Sequence, residues 1–178
     1  MDVIIETKRL LLRELVATDD QGIYELDSDP EVHRYLGNSP INSIEQARDI
    51  IAFIRQQYVT NGIGRLAIIE KETNSFIGWG GFKLITEYTN GHKDYHDLGY
   101  RLIKRYWGKG YATESSLAAL DYGFKTLSLP VIYAMADLEN LSSRKVLEKV
   151  GFENMETFEY DGVPHSWLKL LNPIHLGG

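Results

Sequence analysis

Trp107-Gly108-Lys109-Gly110-Tyr111-Ala112-Thr113-Glu114 is the stretch on which the reading of this chain turns. It follows a strand-like run, Tyr95 to Ile103. It opens a segment in which Leu117, Leu120, Phe124 and Leu127 recur at three- and four-residue steps, so a strand passes through a glycine turn into a helix. Two glycines and an alanine let a ligand approach the main chain closely, and the free N–H groups of a helix start favour an anion. Pyrophosphate binding is the chemistry suggested, although two glycines before a helix also suit an ordinary tight turn. Two other phosphate loops do not fit. A dinucleotide loop needs glycine where Thr113 stands, and a P-loop needs Gly-Lys followed by Ser or Thr, whereas Lys109 is followed by Gly110.

Working outward, Thr7 to Leu15 reads as a first strand, and Thr18 with Gln21 forms a capping-box pattern before a short helix. Ser43 with Gln46 forms another, and behind it Ala47, Ile50, Ile51, Ile54 and Tyr58 make one apolar helical face that Asn61-Gly62 ends. Arg65 to Glu70 and Phe76 to Leu84 read as an antiparallel hairpin. Downstream, Val131 to Ala136 suits a buried strand, Asn140 to Val150 a helix closed by Gly151, and Phe152 to Tyr160 with His165 to Leu171 a final hairpin. The strand-helix-strand unit at 95–136 requires a parallel crossover, whereas the hairpins require antiparallel pairs. The fold class expected is α/β (α+β), a three-layer fold with a mixed central sheet of about seven strands and helices on both faces. No linker, repeat or low-complexity block divides residues 1–178, so one domain is expected.

Composition narrows the function. With 43% hydrophobic and 25% charged residues the chain has the makings of a self-sufficient core. The absence of cysteine excludes disulfides, a thiolate zinc site and a cysteine nucleophile. A net charge of −6 argues against nucleic acid as a partner and is mildly attractive to amines. No apolar run has the length of a membrane span, and the start carries acidic residues where an export signal carries basic ones, so a cytoplasmic protein without a membrane partner is expected. His92 and His96 with Asp94 and Asp97 superficially suggest a metal pair, but four-residue spacing does not converge on a strand, and no metal is expected. Gly78, Gly80 and Gly81 fall inside a strand, where close backbone approach is the better reason for them. Trp79, Tyr88, Tyr95, Tyr160 and Trp167 suit either an acceptor pocket or ordinary packing.

Read together with Asn140-Leu141-Ser142-Ser143-Arg144-Lys145-Val146-Leu147-Glu148-Lys149-Val150-Gly151-Phe152, the loop resembles the GNAT superfamily of CoA-dependent N-acyltransferases. In that family a strand delivers Gln/Arg-x-x-Gly-x-Gly/Ala to the pyrophosphate, and a later helix starts near an Asn and ends in Gly-Phe. Gly110 and Ala112 fall on the small positions, while Trp107 stands where Gln or Arg is usual. Thr7-Lys8-Arg9-Leu10-Leu11-Leu12-Arg13 and Gly99-Tyr100-Arg101-Leu102 extend the match, which is similar to the branch of ribosomal-protein N-terminal (RimJ/RimL-like) acetyltransferases. The resemblance implies acetyl-CoA as cosubstrate and a splayed parallel strand pair. The main chain of Arg101, Leu102 and Ile103 would meet the pantetheine, and Val131 to Ala136 would form the other lip. Trp107, Gly108, Lys109, Gly110, Tyr111, Ala112 and Thr113 would hold the pyrophosphate, and Asn140 and Ser143 would touch the cofactor. Asn140 also reads as a helix N-cap and Ser143 as a first-turn residue.

The implied reaction is attack of a neutral amine on a thioester. Asp97 is the candidate proton acceptor through water, with His96, Glu87 and Asp94 as alternatives from the same region. Many family members donate a proton from a tyrosine seven residues beyond the helix Asn. That position here is Leu147, and Ser143 is the substitute the resemblance offers. The oxyanion would meet a strand N–H. The acceptor is an amine, either a protein N-terminus or a small molecule such as a polyamine, amino acid or aminoglycoside. A non-catalytic acyl-CoA-binding domain is the reading from another class, and both monomer and homodimer stay open.

Overall fold

The computed structural model describes residues 3–176. Its strands are β1 (Ile4–Glu6), β2 (Leu10–Arg13), β3 (Leu66–Glu70), β4 (Ser75–Ile85), β5 (Tyr95–Leu102), β6 (Val131–Asp137), β7 (Glu153–Tyr160) and β8 (Val163–Leu171). Its helices are α1 (Asp20–Asp27), α2 (Ile44–Asn61), α3 (Tyr111–Lys125), α4 (Leu141–Lys149) and a terminal turn, α5 (Pro173–Leu176). The strands form a single sheet in the order β1-β2-β3-β4-β5-β6-β8-β7. Every pairing is antiparallel except β5 with β6. That exception follows from the chain path, because α3 must carry it back across the sheet before β6 can begin.

The pleat divides the core into two faces. Ala67 and Ile69 of β3 meet Ile23 of α1 and Ala47, Ile51 and Ile54 of α2 on one side. Phe82, Leu98, Ile132 and Ala134 meet Ala119 and Leu120 of α3 and Leu147 of α4 on the other. The expected mixed, three-layer architecture is present, with eight strands where about seven were expected. The extra strand is β1, which lies before the first expected strand, Thr7 to Leu15. Thr7 N–H bonds Leu10 O at 2.9 Å, and the turn through Lys8 and Arg9 takes up the first residues of that expected strand and leaves Leu10–Arg13 as β2.

Local signals held where a side chain reached the main chain. Ser43 accepts from Gln46 N–H at the start of α2, and Gly62, left-handed at φ +71°, closes it. At α1 the Thr18 pattern is replaced by a 3-10 turn over Ala17–Asp19. The Asp19 carboxylate accepts from Val16 N–H at 2.8 Å and is gripped by both terminal nitrogens of Arg13 at 2.9 Å. A charged, bidentate partner outcompetes a neutral hydroxyl cap there. At Gly78 a Cβ would sit 2.1 Å from Arg101 O, so β4 and β5 approach too closely for any side chain.

Candidate functional site

The parallel pair β5–β6 is joined only at Asp97 and Tyr133, beyond which the strands part. The gap runs from Leu98 toward Leu102, and its main-chain groups lack a neighbouring strand on that side. Which groups face it follows from the pleat. Ile103 N–H donates to Ile77 O of β4 at 2.9 Å, its carbonyl accepts from Tyr106 N–H at 2.9 Å, and Arg101 O faces Gly78 of β4. Because successive residues of such a ladder address opposite neighbours, Leu98, Tyr100 and Leu102 turn their main-chain groups to the gap.

This corrects the expected set Arg101, Leu102, Ile103, of which Leu102 alone faces the opening. Even there the carbonyl is taken, by the Trp107 indole N–H at 2.8 Å. The Arg101 side chain lies on the opposite sheet face, where it donates to Asp27 Oδ1 at 2.5 Å and stacks over Trp79. Asp27 Oδ1 also meets His33 Nε2 at 3.0 Å, so Arg101 ties β5 to α1 and the segment after it.

At the end of the gap the chain makes a 3-10 turn over Lys104–Tyr106, anchored to α1 and its following segment by the ion pairs Lys104–Glu31 and Arg105–Glu25. It then passes through Gly108 and Gly110, left-handed at φ +75° and +81°. Gly110 is the N-cap of α3, and no side chain caps that helix. The first amides, at Tyr111, Ala112 and Thr113, therefore have no intrahelical acceptor and face outward. Nothing within 4 Å would meet a Cβ at Gly108, and at Gly110 it would meet Arg9 Nη2 at 3.3 Å, so both glycines answer a backbone need and Gly108 leaves open space for a ligand. These features fit the pyrophosphate of a CoA.

The loop is braced from the N-terminal hairpin. Arg9 Nε donates to Glu114 Oε1 at 2.7 Å, and Arg9 N–H and Thr7 Oγ1 donate to Glu114 Oε2 at 3.0 and 2.6 Å. Arg9 Nη1 donates to Lys109 O at 2.9 Å, and the guanidinium lies 4.3 Å from the Tyr111 ring centroid. Tyr111 in turn donates to Glu70 of β3 at 2.5 Å. The motif at 7–9 was visible in the sequence, but its partner 105 residues away was not.

Across the gap, Asn140 caps α4 by accepting from Ser143 N–H at 3.2 Å, which leaves its amide nitrogen free for a ligand. The Ser143 hydroxyl lies near the Tyr100 phenol, which burial pushes above its ordinary pKa while the nearby serine pulls it down. Tyr100 thus stands beside Ser143, a neighbourhood that the stretch Gly99-Tyr100-Arg101-Leu102 does not announce. Alternation from Leu98, a core residue beneath α3, is the signal that places it on the α4 side. Leu147 is 2% exposed and packed in the core, so the side chain in the usual tyrosine position does not reach the gap.

On the opposite face, Arg65 lies across β5 at the branch point. It donates to Gly81 O at 2.5 Å, to Asp97 O at 2.8 Å and to Asp97 Oδ2 at 2.6 Å. A Cβ at Gly99 would stand 2.9 Å from its Nη2, so Gly99 makes room for the guanidinium. Burial pushes the Asp97 carboxyl above its usual range more strongly than Arg65 and Lys83 pull it down. The ion pair is therefore held by geometry at a site where charge is costly. Beside it, Tyr95, Tyr133 and Trp167 form an aromatic floor covered by His92, whose ring stacks on Trp167 at 4.9 Å. The His92 ring is thus engaged in aromatic packing, and no group of three or more metal-ligating side chains assembles among the described residues. No described helix is long and apolar enough to cross a membrane.

Residues 9–153 match the acetyltransferase (GNAT) domain. The chain is 37% identical over 147 residues to the uncharacterized N-acetyltransferase p20 of Bacillus licheniformis, covering 83% of this chain and 80% of that one. It is 26% identical over 141 residues to the spermidine N(1)-acetyltransferase of Escherichia coli K12, covering 79% and 71%. Among solved structures, a GNAT-family acetyltransferase from Bacillus anthracis superposes with a TM-score of 0.81 at 25% identity, over 96% of this chain and 99% of that one.

Proposed function

The chain belongs to the acetyltransferase (GNAT) domain family and is an acetyl-CoA-dependent N-acetyltransferase, and we propose that its acceptor is the α-amino group of a peptide or protein N-terminus. One observation carries this reading. The carboxylate at the branch point, Asp97, is already held by Arg65 at 2.6 Å, so the site offers one encumbered proton acceptor. An α-amino group, with a reference pKa of about 7.7 to 8.0, is partly neutral without help, whereas a lysine amine near 10.4 is not.

In this mechanism the pyrophosphate rests on the amides of residues 111–113 and on the glycine turn, with Lys109 adding charge. Pantetheine lies in the gap as an added strand against Leu98, Tyr100 and Leu102. The Tyr100 N–H faces the thioester oxygen as charge develops on it. The amine reaches the carbonyl carbon from the aromatic face and a C–N bond forms. Asp97 takes the amine proton through water, and the C–S bond breaks. The Tyr100–Ser143 pair returns a proton to the sulfur. A thiol of pKa about 8.5 leaves readily, so this last step is a modest contribution. A cytoplasmic setting suits a cysteine-free chain with such an acceptor.

A small polyamine is the second reading. It is favoured by the spermidine acetyltransferase among the relatives and by Glu87 and Asp97, whose charges act on the Tyr95 and Tyr160 phenols beside the aromatic floor. A thiol-release assay with acetyl-CoA, run over free and N-blocked peptides and spermidine, separates the two. Free N-termini are expected to be turned over fastest; spermidine as the best acceptor replaces the first reading with the second.

A further inference from the structure

We propose that Arg9, on the turn between β1 and β2, is a ligand for the phosphates of the cofactor, a role that rests on the binding of acetyl-CoA at the α3 start. The guanidinium is fixed on two of its edges, by Glu114 through Nε and by Lys109 O through Nη1, and its plane is seated over the Tyr111 ring. The third nitrogen, Nη2, has no hydrogen-bond acceptor among the described residues. It stands 3.3 Å from the point a Cβ would occupy at Gly110, the N-cap of α3. An anion drawn to the free amides of that turn comes within reach of Nη2.

The loop itself has little else to offer. The Trp107 indole N–H is spent on Leu102 O, and Lys109 Nζ lies 5.6 Å over the Tyr106 ring on a flexible stem. Arg9 is the cation whose position is set in advance, and a planar fork held at two edges loses little freedom when the third engages a phosphate oxygen. Glu114 holds the fork and keeps its carboxylate charged. Although burial opposes this, the bonds from Thr7 and Arg9 together hold its pKa below the ordinary value. The β1–β2 turn, which the sequence pattern reads as the start of a strand, thereby becomes part of the cofactor site.

The test compares acetyl-CoA with acetyl-pantetheine, which carries the thioester but no phosphate, in the native chain and in Arg9→Gln and Arg9→Lys. Arg9→Gln is expected to weaken CoA binding in calorimetry about 10-fold or more, since a charge-assisted bond is lost. Arg9→Lys should fall between the two, and in both variants kcat/KM with acetyl-pantetheine should fall by much less than the CoA affinity does. Unchanged CoA affinity in either folded variant overturns the proposal. An equal loss with acetyl-pantetheine also overturns it, making Arg9 a scaffold residue only. Failure of the native chain to bind CoA would instead remove the cofactor reading beneath it.

Discussion

Helices α3 and α4 both begin beside the gap between β5 and β6, and they begin in opposite ways. The start of α4 is self-sufficient, because the Asn140 side chain accepts from Ser143 N–H, as Ser43 does for α2. The start of α3 is bare: Gly110 contributes a left-handed turn and no side chain, although α3 is the longer helix, with 15 residues against nine. A helix start left open while its neighbours are closed marks where a ligand completes the hydrogen bonding. In the proposed mechanism the difference also divides the labour of the site, with α3 meeting the phosphate charge and α4 presenting the Ser143 hydroxyl to the reacting end.

The largest expected effect comes from closing the bare start. Gly110→Asp forces a side chain onto φ +81° and places a carboxylate beside Arg9 Nη2, where it competes with the phosphates. CoA affinity measured by calorimetry should fall about 100-fold or more. An unchanged affinity removes the contrast between the helices. On the α4 side, Ser143→Ala and Tyr100→Phe should each lower kcat about 10-fold while KM for acetyl-CoA stays within about twofold. A rate that does not move reduces Ser143 to a first-turn residue.

How much of this was legible depended on sequence distance. The helix faces, the Ser43 cap, the parallel crossover and the loop at 107–113 are written in spacings of a few residues, and the structure has them where the pattern placed them. Asn140 as an N-cap belongs to the same class. Which residues of β5 face the gap was misread because the pleat direction of β5 is set by its pairing with β4, a fact absent from residues 95–103 themselves. Thr7 to Leu15 misled for a related reason: Arg9 leaves the expected strand to meet Glu114, and nothing local announces that attraction. Asp97 was singled out from the strand, but its ion pair with Arg65, 32 residues earlier, was not visible.

Asn140→Ala sharpens the comparison from its quieter side. Loss of a cap costs about 1 kcal/mol, which for a chain of this size lowers Tm by about 2 to 4 °C. Thermal unfolding should show that change. A CoA affinity falling further than the stability accounts for would assign the Asn140 amide a direct cofactor contact. The smallest effect concerns the Arg9–Glu114 clasp. Because the folded-state pKa of Glu114 lies below its ordinary value of 4.5, the unfolded chain takes up the proton first as pH falls. The contribution of Glu114 is present above about pH 4.5 and is lost as pH falls through the folded value. Unfolding followed between pH 6 and 3 should show a shallower acid limb in Glu114→Gln, and parallel limbs would mean that the clasp carries no linkage.

Arg65 has a consequence for the speed of binding. By joining Gly81 O, the Asp97 carbonyl and the Asp97 carboxylate, and by occupying the space above Gly99, one guanidinium fixes β5 against β4 where β5 leaves β6. The mouth is thereby held at its working width before any cofactor arrives. Association is then expected to need no opening step, and stopped-flow binding should show a rate that rises in direct proportion to cofactor concentration without a plateau.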